Sequence, residues 1–207
     1  PDAIFDCINY MRDDPETVSM LGPGFNVIPD ADRLLIRPFI TIPITSSDPI
    51  DRLLSTPLIK PIAWYNLNRT DAYKAAVGDV VRLCDHNLDP VWDMMLALRL
   101  SHIGKISWTD RLFIVRYESA KKHRFSRPQN MLNALVDDSQ STHVFALKNY
   151  IRVLLDSVPL EKTENENKNK DGFLDFCAKE IFKNVLLTSA ENETLRRSVY
   201  RDLLISH

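Results

Sequence analysis

The sequence predicts a mainly α protein: a helical bundle or a stack of antiparallel helical hairpins, with a HEAT-like array admissible, preceded by a proline-rich, partly extended N-terminal segment. Three observations carry that expectation. Apolar residues recur at helical spacing through most of the chain after Thr70. Nine of the twelve prolines fall at or before Pro61, which leaves only Pro90, Pro128 and Pro159 for the rest. The links between periodic stretches are mostly short, and short links make consecutive helices antiparallel neighbours. No residue signature repeats, so a plain bundle stands ahead of an array.

Proline interrupts helices, so composition divides the chain into an N-terminal arm, residues 1–61, and a helical domain, residues 62–207. In the arm, residues 2–11 read as a short helix that breaks at "LGPGF". The later stretch "RLLIRPFITIPI" is β-branched and apolar but punctuated by Pro38 and Pro43. It reads as an edge strand or an extended segment lying over something apolar. Such an arm either wraps on the helical body or offers an extended surface to a partner.

From Thr70 the residues Tyr73, Val77, Val80 and Cys84 recur at i, i+4, i+7 and i+11, which makes one broad apolar stripe. That helix is expected to run out at "CDHN", with Asp89 and Pro90 as N-cap and first residue of the next helix and Asp93 in its first turn. The dozen residues "RLCDHNLDPVWD" also raise the question of a metal. On a helix Cys84 and His86 project to nearly opposite sides, and neither Cys7 nor Cys177 has a neighbour at ligand spacing. A helix corner is therefore expected, with no metal and no cofactor.

The next helix, Pro90 to about Ile103, carries Val91, Trp92, Met94, Met95, Leu96, Leu98 and Leu100. It is apolar around most of its circumference, so it should be the central and most buried helix, closed by Gly104. Trp92, Met94 and Met95 read as core in preference to an adaptable partner groove. His102 reads as a helix-end histidine in preference to a catalytic base.

A third helix is expected from near Thr109, carrying Leu112, Phe113, Val115, Tyr117 and Ala120 and ending in the basic run "AKKHRFSRP". Arg116, Lys121, Lys122, His123, Arg124, Phe125 and Arg127, with Arg111 one face away, form the candidate partner or nucleic-acid surface. Arginine and lysine hold phosphates and an interleaved ring can stack on a base, while positive charge at a helix C-terminus equally complements the dipole. "NMLNALVDD" offers a short helix. Residues 142–157 offer a longer one, with Val144, Leu147, Ile151 and Leu154 on one face and Tyr150 and Val153 beside it. A mobile polar loop is expected at about 159–171, then two helices, the first with Phe173, Leu174, Cys177, Ile181 and Val185, the second with Leu195, Val199, Tyr200 and Leu203. Thr188 and Glu191 sit at capping-box spacing between these last two.

Composition narrows the function classes. Five glycines give no phosphate cradle, and neither GxSxG nor HExxH occurs. The acid pairs Asp13-Asp14 and Asp137-Asp138 border expected helices, where capping explains them. A net charge of -2 gives no global pull toward nucleic acid or acidic membranes. Three scattered cysteines read as reduced, mostly buried thiols of a cytoplasmic or nuclear protein. No apolar run has the length of a membrane span, and the sequons at Asn68 and Asn192 read as chance matches. The chain begins at Pro1, which fits a fragment of a longer protein. The resulting expectation is a non-catalytic helical protein–protein interaction domain, a scaffold or adaptor of a larger intracellular assembly, with no small-molecule substrate. The alternative is a nucleic-acid-binding helical domain using the basic run 116–127.

Overall fold

The computed structural model describes residues 2–30, 33–39, 43–56, 65–83, 89–117, 142–159 and 170–189. Among them are six helices and six strands: α1 (Asp2–Asp13), β1 (Thr17–Leu21), β2 (Gly24–Asp30), β3 (Arg33–Phe39), α2 (Pro49–Ser55), β4 (Leu67–Asn68), α3 (Thr70–Leu83), α4 (Asp89–Ile103), β5 (Lys105–Trp108), β6 (Ile114–Tyr117), α5 (Thr142–Asp156) and α6 (Lys170–Ser189). The strands form two three-stranded mixed sheets, ordered β4-β1-β5 and β3-β2-β6. The protein is thus an α/β mixture, which corrects the expectation of a mainly α bundle, helical-hairpin stack or HEAT-like array.

The sheets were hidden because four of their six strands have five residues or fewer and three of their four pairings are long-range. All five residues of β1 are buried, so "TVSML" shows no alternation of apolar and polar residues. It pairs in parallel with β5, some ninety positions away (Met20 with Ser107, Leu21 with Trp108), and antiparallel with β4. β2 pairs antiparallel with β3, and parallel with β6 from Gly24 opposite Ile114 to Val27 opposite Tyr117. β3 is an edge strand, one of the two forms expected for its segment. Pro29 lies in β2 beyond the stretch paired with β6. Its missing N–H therefore costs that pairing nothing.

The third helix expected from Thr109 does not form. Residues 109–113 are irregular and the next four are β6. Ile114 and Val115 are β-branched and favour an extended backbone, and β2 supplies the neighbouring strand. α6 takes in Lys170 and Asp171 from the end of the expected polar loop, and it runs through Thr188, so no new helix starts there. Val153 is exposed. The corner at residues 84–88 with Cys84, the segment "NMLNALVDD", residues 160–169 and the last expected helix lie outside the described residues.

The helices expected near residues 2–11, 70–84, 90–103 and 142–157 are present as α1, α3, α4 and α5. α4 is the buried centre: Met94, Met95, Leu96, Ala97, Leu98, Leu100 and Ser101 are all inaccessible. One side packs with Ile50 and Leu53 of α2, Leu147, Tyr150 and Ile151 of α5, and Leu174, Cys177 and Ile181 of α6. The other side places Leu96, Ala97 and Leu100 against Ala72 and Ala76 of α3, Val18 of β1 and Ile106 of β5. Trp92 is half-buried against the first of these clusters.

Gly104 joins α4 to β5, its N–H bonded to the Leu100 carbonyl at 3.0 Å. The requirement there is space, since a Cβ would meet the Glu16 carbonyl and would lie 2.5 Å from Val18 Cγ1. α2 has a local start signal: Asp48 accepts from the Ile50 N–H at 2.7 Å and Pro49 opens the helix.

The buried Arg52 of α2 binds the end of α4. Its Nε donates to the Ser101 carbonyl at 2.6 Å and its Nη2 to the His102 carbonyl at 3.1 Å. Nη1 donates to the Ser46 and Ser47 carbonyls at 2.9 and 2.8 Å. These are the carbonyls that a helix end and a loop leave without partners. Arg52→Met should therefore lower unfolding stability by about 3 kcal/mol in urea melts, through loss of charge-assisted bonds and the stranding of buried carbonyls. A loss below about 0.5 kcal/mol, the range of an ordinary surface change, would show that the strut is dispensable.

Candidate functional site

The outer sheet β3-β2-β6 is the feature of the fold that packing leaves unexplained. It is held at one end, where the consecutive strands β1 and β2 run beside the consecutive strands β5 and β6. At this crossing the Thr109 N–H bonds the Leu21 carbonyl at 2.8 Å and the Phe113 N–H bonds the Pro23 carbonyl at 2.9 Å. Gly22 permits the approach, since a Cβ there would lie 2.5 Å from the Arg111 carbonyl. Among the described residues, the extensive contacts of β2, β3 and β6 are with one another, and none is with a helix.

Strand register sorts the side chains of this sheet, because residues paired across a ladder share a face. Phe25 pairs with Val115, Val27 with Tyr117 and Ile36, and Pro29 with Leu34. One face is therefore Phe25, Val27, Pro29, Leu34, Ile36, Val115 and Tyr117, without a charge or a hydrogen-bonding side chain apart from the Tyr117 hydroxyl. Leu34 is 66% exposed, Ile36 59%, Val115 59% and Tyr117 66%. A contiguous apolar face of this kind marks a contact surface, unlike apolar residues scattered singly.

Arg116 falls on the opposite face, opposite Asn26. Its guanidinium lies 5.3 Å from the centre of the Tyr65 ring, a cation–π contact. Of the seven residues expected to form the partner or nucleic-acid surface it is the one described; Lys121, Lys122, His123, Arg124, Phe125 and Arg127 lie outside the described residues. It stands on a strand, not on the helix expected to carry it. Arg111 pairs with Asp6 of α1 at 3.2 Å.

A second polar group resembles catalytic machinery at first sight. The Ser157 hydroxyl lies 3.0 Å from His102 Nε2, His102 Nδ1 lies 2.9 Å from Arg99 Nη1, and Arg99 Nε meets Asp79 Oδ2 at 2.7 Å. Arginine only donates, so Nδ1 accepts, and in the neutral ring the proton must sit on Nε2. Nε2 then donates to Ser157 Oγ, which in turn donates to the Leu154 carbonyl at 2.7 Å. A nitrogen that already carries the proton cannot take one from the serine, so this pair is not set for nucleophilic catalysis. His102 is indeed at the end of its helix, and the chain of bonds ties α3, α4 and the end of α5.

Other described polar groups also act as ties. Asp14 accepts from the Thr17 hydroxyl at 2.9 Å and from the Glu16 N–H at 3.2 Å, which closes the turn after α1 and holds its carboxyl below the ordinary range. Arg152 of α5 pairs with Asp156 at 3.1 Å, and with Asp175 and Asp171 of α6. Cys7 and Cys177 are free and buried, and burial pushes both thiols up, away from the reactive thiolate. Asn66, Asn68, Thr70, Tyr73 and Lys74 line a shallow, open depression. Among the described residues no three His, Cys, Asp or Glu side chains gather at metal-binding distance, and no helix is long and apolar enough to cross a membrane.

Comparison with family models, with curated proteins and with solved structures finds no match to this chain. The outer sheet was legible in part. "RLLIRPF" signalled an exposed apolar strand, but the face appears only when β6, some eighty residues later, is laid beside β2.

The tautomer of His102 has a pH consequence. Burial first, and then the positive Arg99 and Arg52, push its pKa down to about 4. The unfolded ring protonates near pH 6.5, so between these values the unfolded chain binds the extra proton. The stability contributed by the neutral ring is complete above about pH 6.5 and is lost as pH falls toward 4, by up to about 3 kcal/mol. His102→Gln should flatten that part of the stability–pH curve; an unchanged slope would show that the ring protonates freely in the fold.

Proposed function

We propose that this chain is a non-catalytic protein-interaction module of a larger intracellular assembly, and that its contact surface is the apolar face of β3-β2-β6. The observation that carries the reading is the alignment of Leu34, Ile36, Val115 and Tyr117 on one exposed face. Covering such side chains returns roughly 1 to 2 kcal/mol each, enough in sum for useful affinity. The three strands are short, and the crossing at Gly22 ties the sheet to the core at one end, so the sheet is offered outward. Two free, buried thiols suit a reducing compartment. The nucleic-acid reading of residues 116–127 has one described residue, and that arginine is engaged with Tyr65.

A photoreactive side chain at position 36 tests the reading, with one at Lys179, exposed on α6, as control. In the native cell the first should form adducts with a discrete protein and the second should not. Adducts with lipid or nucleic acid from position 36, or protein adducts equal to those of the control, would overturn it.

A further inference from the structure

We draw no further inference here: the strongest candidate, the apolar face of β3-β2-β6 together with the exposed stripe of Ile4, Phe5 and Ile8 on α1, carries nothing beyond the contact reading already given, because nothing in the structure shows what covers it.

Discussion

Between Met94 and Ser101 every residue of helix α4 except the half-buried Arg99 is buried, and the rest of the body is arranged by the need to cover it. Two distinct layers do so. α2, α5 and α6 close over Met94, Met95 and Leu98, while α3 and the strands β1 and β5 close over Leu96, Ala97 and Leu100. A helix buried all round also has ends that water cannot fully satisfy, and the protein meets that demand with the guanidinium of Arg52 at one end of α4. Gly104 then lets the chain leave the helix directly into β5 beneath Glu16 and Val18.

Long polar side chains inside the molecule are used in the same manner. Arg69 donates to the carbonyls of Thr17, Met11 and Asp14 and so fastens the end of α1 to β1. His102 is held neutral between Arg99 and Ser157. These groups resemble active-site components by residue type, yet each has its bonding capacity directed to backbone or to a neighbouring helix. Among the described residues, the apolar side chains Leu34, Ile36, Val115 and Tyr117 are left exposed together on one face.

That surface follows from how the two sheets are joined. β1 continues into β2 and β5 into β6, and both passes run in parallel through the crossing at Gly22. The first sheet lies under α4 and α3. Among the described residues, the second makes no extensive contact with a helix. Its apolar face and the stripe of Ile4, Phe5 and Ile8 on α1 are two exposed apolar surfaces of the described chain.

The sequence by itself determined the strongly periodic or well-punctuated elements. The stripe from Tyr73 to Val80, the nearly all-apolar run from Met94 to Leu100 and the Leu147–Ile151–Leu154 face are local patterns, and local patterns are enough to specify α3, α4 and α5 and the centrality of α4. The edge character of "RLLIRPF" was also local, since an apolar extended stretch that contains a proline is confined to a sheet edge. Tertiary structure alone decided the fold class and the candidate surface. Four residues such as "IVRY" or "KISW" carry too little pattern to distinguish strand from helix, and a strand buried on both faces, such as "TVSML", has no alternation to read. They become strands because partners some ninety residues away supply the hydrogen bonds. The apolar face exists only through that pairing: Leu34 and Ile36 are adjacent to Val115 and Tyr117 across β2, and no spacing along the chain records it.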